Sequence, residues 1–460
     1  MDIRSEVLKR VKPNEDNIKN MNKVASELVQ RVNKSAAKMG PNAHAMLVGS
    51  AARGTWIRSE RDIDIFVLFP EVLSREELEQ QGMAIARDVA GSTGKERFAE
   101  HPYVTMRFKE FDVDLVPCYD LKDTRKIKSA VDRTPHHQKY VEGRLTPQLA
   151  EEVLLLKQFA YGAGVYGAEL KTQGFSGYLC ELLILHYGSF EKLVYGASGW
   201  GLGKIIDIGK RYRDESESQV LFERQQLLVI DPVDPTRNVA AAVSLQNFTI
   251  FVRACQDYNK RASLNFFFPN KVIPLGPSEL DRTLKTRNTR LFCLTFRSPD
   301  VVPDVLYPQL RKTEKTLTTR LAQLGFEVLR SDVWANSNAV IILELRVSKL
   351  PRVRTRVGPP LRMTVDRFIL EHINSPDKLA GPFVDPVGRI VFELKRKQTS
   401  ALDVLKDVLT ERTAFGKNVA EAVGVGYEII EGIKIKKLLR YPGFSEFISD
   451  YLTRCLPWYR

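Results

Sequence analysis

No C-x-x-C pair occurs among the five cysteines, Cys118, Cys180, Cys255, Cys293 and Cys455. Their scatter argues against a disulfide framework and a cysteine zinc site. It points to a reducing compartment in which each is a small apolar side chain. No apolar stretch approaches the roughly 18 residues of a membrane span, so no membrane partner is expected. The start, Met1-Asp2-Ile3-Arg4-Ser5-Glu6, lacks an apolar core, so no secretory leader is expected and the cytoplasm is the expected location. Internal repeats and low-complexity tracts are also missing, which removes solenoid and fibrous architectures. Acid is the scarcer charge: 56 Asp+Glu against 69 Lys+Arg leave a net +13. That excess favours a polyanionic partner, because counterions displaced from phosphates drive association, although a membrane surface or plain solubility would also use it.

With 460 residues the chain exceeds one hydrophobic core, and two to four domains are expected. Apolar residues at four-residue spacing (Val24, Leu28, Val32) predict a helix over 15–39. A short strand, 44–48, ends in Gly49-Ser50 and a turn of small residues. A second strand is expected over 62–69 and a helix over 74–92. A third strand is expected from Phe111 to Val116, stopped by Pro117. From Thr146-Pro147 the pattern turns helical, with Thr146 as cap and Pro147 at the first helical position. Between 288 and 395 the order reads strand 290–296, helix 308–324, strand 326–330, strand 339–347, helix 365–373, strand 389–394. That is the β-α-β-β-α-β order of a ferredoxin-like unit. The expected fold class is α+β and multidomain. A head occupies 1–142, a helical neck and body 143–255 and a tail 256–395. The segment 396–460 is expected to pack back on the body.

The chemistry gathers on two of the strands. Alternate residues of a strand share a face, so Asp62 and Asp64 point one way while Ile63 and Ile65 point the other. Asp112 and Asp114 repeat the pattern between Phe111, Val113 and Leu115. A carboxylate buried without a partner is costly, and a divalent cation removes the cost. Oxygen-only ligands select hard cations, Mg²⁺ or Mn²⁺. Three carboxylates from two neighbouring strands can hold two ions about 3.5–4 Å apart. The alternative, that they sit at strand edges facing solvent or arginine, stays open on D-x-D alone. Upstream, Gly49 lets backbone N–H groups approach a phosphate, Ser50 adds a hydroxyl, and Arg53 on the same turn can pair with a phosphate oxygen.

The order strand, Gly-Ser, Arg, D-x-D strand, third-Asp strand resembles that of the polymerase-beta-like nucleotidyltransferases. Longer strings narrow the likeness: 48–56 (VGSAARGTW), 62–66 (DIDIF), 113–119 (VDLVPCY), 127–135 (IKSAVDRTP), 174–183 (GFSGYLCELL), and 231–234 (DPVD) followed by 237–240 (RNVA). Together they resemble the archaeal-type (class I) CCA-adding enzymes from residue 15 to about 430, least after 330.

The resemblance implies template-independent addition of C, C and A to the 3′ end of tRNA from CTP and ATP. It implies metal ligation by Asp62, Asp64 and Asp114, the first of which is often Glu in relatives. Asp112 is not assigned to the metals. Ser50, Arg53, His137, Lys157 and Tyr166 match contacts to the nucleotide, mostly to its triphosphate. Arg237 and Asn238 match the pocket that selects the base. Read alone, several of these have plainer roles. Lys157, a turn after Val153, can snorkel; His137 can be a hydrogen-bonded helix histidine; Tyr166 can be core; Arg237 can be a loop ion pair. His101, His186 and His372 are read as structural. The basic residues Arg311, Lys312, Lys315 and Arg320, and the run Arg352, Arg354 and Arg356, suit tRNA contact or a solvated face. A homodimer is left open. Two other classes remain in view: another enzyme of the superfamily such as a poly(A) polymerase, and an RNA-binding protein without activity.

Overall fold

A computed structural model describes residues 2–40, 42–98, 101–210, 212, 222, 225–360 and 364–460. Two compact units emerge. The first comprises Met1–Lys271 together with Cys455–Arg460, and the second Val272–Arg454. No helix among the described residues is long and apolar enough to cross a membrane.

The first unit opens with helices α1 (Ile3–Val11) and α2 (Glu15–Met39). Asn14 caps α2, its side chain accepting from Asn17 N, and Gly40 ends it at φ 86°, where a Cβ would be strained. A five-stranded sheet follows in the order β1-β2-β5-β4-β3, with β1 His44–Val48, β2 Asp62–Phe69, β3 Lys95–Phe98, β4 Pro102–Phe108 and β5 Phe111–Tyr119. Helix α3 (Gly49–Arg53) joins β1 to β2, and α4 (Arg75–Ala90) joins β2 to β3. Ile63, Ile65, Val67 and Phe69 turn to one side of the sheet, into a core shared with Val24, Leu28 and Val32 of α2 and Ile85 of α4. Each such side chain contributes about 1.5–3 kcal/mol on burial. The alternate residues of β2, beginning with Asp62 and Asp64, are left on the opposite face.

Strand β5 runs through Pro117 to Tyr119, past its expected end at Val116. The reason is local: β4 pairs with β5 only over 111–115, so the amide that Pro117 lacks has no strand to meet on that side. The small-residue turn after Gly49 is wound into α3.

The helical part of this unit contains α5 (Thr134–Glu142), α6 (Pro147–Gly162), α7 (Gly177–Tyr187), α8 (Phe190–Ala197) and α9 (Leu245–Lys260), with a parallel pair β6 (Lys204–Asp207) and β7 (Leu227–Ile230). Thr146 caps α6 by accepting from Leu149 N at 3.2 Å, and Ser176 caps α7 by accepting from Leu179 N at 3.1 Å. Phe159, Phe190, Phe251, Phe266 and Phe267 share one core, which Trp458 joins. The expected boundary at 255/256 falls inside α9; the units divide at 271/272.

The second unit has a four-stranded antiparallel sheet in the order β14-β8-β10-β9: β8 Arg290–Arg297, β9 Val328–Ala335, β10 Asn338–Leu345, β14 Glu428–Glu431. Helices α11 (Pro303–Gln323), α13 (Ala401–Glu411) and α14 (Lys417–Val425) share its core, while α10 (Pro277–Arg287) and α15 (Phe444–Thr453) belong to the core on the other side. This is the ferredoxin-like strand order, but its closing elements differ from expectation. The last helix and strand are α14 and β14, not 365–373 and 389–394. The latter belong to a separate three-stranded sheet, β11 (Val353–Val357), β13 (Ile390–Lys395) and β12 (Lys378–Val384), with α12 (Asp366–Ile373). The insertion carries its own helix and strand with apolar patterning, so counting elements along the chain closes the motif too early. Helix α11 begins at Pro303, not Pro308, because Pro303 stands in its first turn. Of the segment 396–460, residues 396–454 belong to the second unit, with Ala401, Leu405 and Val419 in its core, and only Cys455–Arg460 group with the first.

Candidate active site

Parallel pairing of β2 with β5 sets Asp62 beside Asp112 and Asp64 beside Asp114, all in register. Val48 of β1 lies opposite Asp64. The chain then turns at Gly49, whose φ is 78° and whose missing Cβ would fall on Asp64 Oδ2. Glycine is therefore demanded twice, by backbone conformation and by space. Among the described residues no hydrogen bond is made by the Ser50 hydroxyl, which follows Gly49 at the start of α3. Asp112 is set apart: exposed, it pairs with Arg107 at 2.7 Å.

Burial, Asp114 and Asp62 together raise the Asp64 carboxyl from 3.8 to about 7. Burial, with Asp62 and Asp112, raises Asp114 to about 6. Asp62 is raised by burial, then by Glu60 and Asp112. Arg53 and Lys157 oppose these shifts at Asp64 without cancelling them. The face carries more negative charge than its cations neutralise.

Arg53 reaches from α3 to α7 and α5. Its Nε donates to Glu181 Oε1 at 2.9 Å and its Nη1 to Gln138 Oε1 at 2.5 Å. Thr55 Oγ1 donates to the same Glu181 oxygen at 2.6 Å. Glu181 is fully buried, and its Oε2 has no hydrogen-bond partner among the described residues. Glu181 and Gln138 thus fix the guanidinium beside the carboxylates.

Lys157 lies on α6 and is 1% exposed. Its Nζ stands 3.6 Å from Glu60 Oε2 and 5.7 Å from the Tyr166 ring centroid. Tyr166 OH donates to Glu60 Oε1 at 3.1 Å, and Ile57 N donates to Glu60 Oε2 at 3.0 Å. Lys157 and Tyr166 therefore converge on one carboxylate, two residues before Asp62. Glu60 was not read from the sequence; a lone Glu in a loop gave no signal.

His137, Tyr178 and Arg237 meet at Asp231, a fully buried carboxylate. His137 Nε2 and Arg237 Nη1 each donate to Asp231 Oδ2 at 2.8 Å, and Tyr178 OH donates to Oδ1 at 3.3 Å. The His137 and Tyr178 rings stack at 4.1 Å. Burial alone would raise Asp231; the bonds from His137, Val233 N and Arg237 outweigh it and bring the carboxyl to about 2. Asp231, Tyr178 and Glu181 stood inside strings quoted from the sequence, but nothing in their spacing singled them out.

Asn238 is placed differently from Arg237. Its Oδ1 accepts from Val229 N and Ala240 N, each at 2.9 Å, and its Nδ2 donates to Leu227 O at 2.9 Å and to Gln225 Oε1. These bonds tie the loop after Asp231 to β7. Of the histidines read as structural, His101 pairs with Glu79 at 3.0 Å and His372 with the Phe368 carbonyl at 2.8 Å.

No three His, Cys, Asp or Glu side chains among the described residues form a ready-made metal cage. The donor set nonetheless suits Mg²⁺. It is all carboxylate oxygen, and its raised pKa values mark anions short of a counter-cation. Mg²⁺ keeps waters and substrate phosphates in its shell and takes one or two carboxylates from the protein, so an open acidic face fits it better than a closed cage.

A mixed sheet carrying Gly-Ser and D-x-D at neighbouring strand ends defines a nucleotidyltransferase head, and residues 29–137 match the nucleotidyltransferase domain family. Residues 151–268 match the family described as tRNA nucleotidyltransferase, second domain, and 287–432 the CCA-adding enzyme, C-terminal domain. Curated relatives extend the match over nearly the whole chain. A CCA-adding enzyme of Methanosarcina barkeri is 43% identical over 441 residues, covering 95% of each chain. One of Methanosarcina acetivorans is 42% identical over 457 residues and 98% of each. One of Halobacterium salinarum is 38% identical over 449 residues and 97% of each. The chain belongs to the CCA-adding enzyme family. Among solved structures, the Cid1 poly(U) polymerase aligns with a TM-score of 0.45 and 14% identity over 56% of this chain and 94% of that one, too distant to bear on activity.

Proposed function

We propose that this protein adds C, C and A to the 3′ end of tRNA from CTP and ATP, without a nucleic-acid template, releasing pyrophosphate at each step. The observation that carries this reading is the near-full-length identity to CCA-adding enzymes, together with an intact carboxylate face. In each step the tRNA 3′ oxygen bonds to the α-phosphorus, the hydroxyl's proton passes to water, and the bond to the bridging oxygen breaks, its electron pair leaving with pyrophosphate. Two Mg²⁺ ions, when bound, lower the pKa of the attacking hydroxyl and stabilise the leaving pyrophosphate. Asp62, Asp64 and Asp114 are the residues that would hold them.

The chain's other side chains bind and orient. Ser50 and the N–H groups opened by Gly49 receive phosphate oxygens next to Asp64. Arg53, held by Glu181 and Gln138, offers guanidinium N–H groups to the triphosphate, and Lys157 and Tyr166 supply a cation and a hydroxyl. Asp231 fixes His137 and Arg237 so that Arg237 presents donors to the base edge. Fixed donors suit pyrimidine O2 or N3 and purine N1. Asn238 holds the loop on which Arg237 stands.

The test is incubation of the protein with tRNA lacking its end and one NTP at a time. Addition of C, C and then A, with pyrophosphate released, is expected. A tail of one nucleotide running on past C-C, or no addition of C, would overturn the reading.

A further inference from the structure

The first unit holds two large cores, and neighbouring residues divide between them: Trp56 packs in the core under the sheet and Ile57 in the helical core. Where the two part, a cavity of about 470 Å³ opens between the start of α2, the helix α3 and the first turns of α6. Of the candidate site residues described above, Arg53 lines it; Asp62, Asp64, Asp114 and Lys157 do not. Gly54 ends α3 at φ 67°, and a Cβ there would meet nothing within 4 Å, so the space beside the helix is open.

The wall defines what can fill it. Nine of the fifteen lining residues are apolar, Trp56, Pro147 and Leu154 among them, which suits carbon better than phosphate. The three charged residues are already paired: Lys12 Nζ with Glu151 Oε1 at 2.6 Å, and Arg53 Nε with Glu181 Oε1 at 2.9 Å. A charged ligand finds no counter-charge there that is not engaged, so the wall selects a neutral molecule. Size narrows it further. A cavity of roughly 150 Å³ holds benzene, and about three times that space takes two fused rings. Trp56 offers such rings an aromatic neighbour, and Asn22, exposed on α2, offers one amide to a ring N–H or hydroxyl.

We propose that this cavity binds a small neutral aromatic molecule of two fused rings, and that its occupancy is felt by the nucleotide through Arg53. The second half rests on the function proposed above. A ligand packed against Arg53 restrains it further in the pose that Glu181 and Gln138 set. An arginine already held gives up less freedom when a triphosphate arrives, so the two ligands favour each other. By linkage each raises the other's affinity by the same factor.

The test uses the whole chain, with indole as the probe. Calorimetry should show saturable one-to-one binding with a sub-millimolar Kd and a negative heat-capacity change. Ala150→Phe, which fills the cavity from α6, should abolish that binding and leave nucleotide addition without indole unchanged. Should Ala150→Phe fail to fold, Ile18→Trp, at a position 42% exposed, blocks the same space from α2. Indole-3-acetate, the same rings with a negative charge, should bind about tenfold more weakly, because Glu151 stands in the wall. In wild type, indole should lower KM for CTP about fivefold at unchanged kcat, and CTP should tighten indole by the same factor. Absence of saturable indole binding, or binding that survives both filling substitutions, would overturn the site. Tighter binding of indole-3-acetate than of indole would overturn the neutral class. Indole binding with an unmoved KM for CTP would overturn the coupling through Arg53. If wild type adds nothing to tRNA yet binds indole and loses it in Ala150→Phe, the proposed function fails and the site stands.

Discussion

Lys157 Nζ faces Glu60 Oε2 at 3.6 Å from a site so enclosed that Lys157 is 1% exposed. A buried ammonium requires an anion, and here a carboxylate of the chain supplies it. In the proposed reaction a triphosphate would take that place. Glu60→Gln should therefore weaken the fold without ligand and strengthen the binding of nucleotide. Stability without ligand should fall by about 1–3 kcal/mol in denaturant titration, because the cation loses its charged partner. KM for CTP should fall as well, because a negative charge beside the triphosphate is gone. Unchanged stability would show that Lys157 finds its anion elsewhere.

Asp64 is raised from 3.8 to about 7, and this fixes the sign of a pH effect. A carboxyl whose folded value lies above its unfolded value binds its proton more tightly in the folded chain. Its contribution to stability is greatest below about pH 4 and is lost as pH climbs to about 7. Asp64→Asn should thus be more stable than wild type at pH 8, with the difference vanishing near pH 4. Mg²⁺ should stabilise wild type and not the variant. Asp62→Ala, Asp64→Ala and Asp114→Ala should each abolish nucleotide addition while tRNA binding survives. Near-normal turnover in Asp114→Ala would refute the metal assignment.

Arg237 and Asn238 are neighbours with separable roles. Arg237→Ala should blur C against U about tenfold or more, the loss of one charged hydrogen bond of roughly 1.5–3 kcal/mol. Asn238→Ala should destabilise the protein by about 1–3 kcal/mol for each amide it orphans, at Val229 and Ala240, with base choice retained. Single-nucleotide addition with CTP, UTP, ATP and GTP separates the two. Wild-type selectivity in Arg237→Ala would place base reading elsewhere.

Asp231 gives the opposite pH sign. Its carboxyl is lowered to about 2, so its contribution is present above about pH 4 and is lost as pH falls towards 2. Asp231→Asn should remove that acid-range dependence from denaturation curves. It should also reproduce the selectivity defect of Arg237→Ala, since the arginine loses its anchor.

Gly49→Ala forces a Cβ onto a φ of 78° and against Asp64. The backbone strain alone costs roughly 1–2 kcal/mol. The variant should lose nucleotide addition through displacement of Asp64 while still binding tRNA in a filter assay. Full activity would mean that the turn tolerates a side chain.

The acidic strands were legible because two rules act locally: period-2 alternation places Asp62 with Asp64, and an apolar surround makes their charge conspicuous. Arg53 stood out as a candidate phosphate ligand, a role that remains a proposal, while its grip on Glu181 was not legible, since 128 residues separate them. Asp231 and Glu60 escaped for the same reason: a carboxylate is recognised as a hub only when its partners from other helices are in place. In the second unit the β-α-β-β start was readable, whereas the inserted sheet after β10 mimicked the end of the motif. Propensity describes each element and says nothing of which sheet it joins.

Trp458 stacks on Phe266 at 5.5 Å, and Asp257 accepts from both Trp458 Nε1 and Tyr459 OH. Residues on either side of the second unit are thus stitched into one core. On the ribosome the aromatic cluster around Phe159 must wait for the whole of Val272–Arg454 to be synthesised before its last ring arrives, roughly 10–40 s at 5–20 residues per second. Through that interval the first unit lacks the indole that stacks on Phe266 and donates to Asp257.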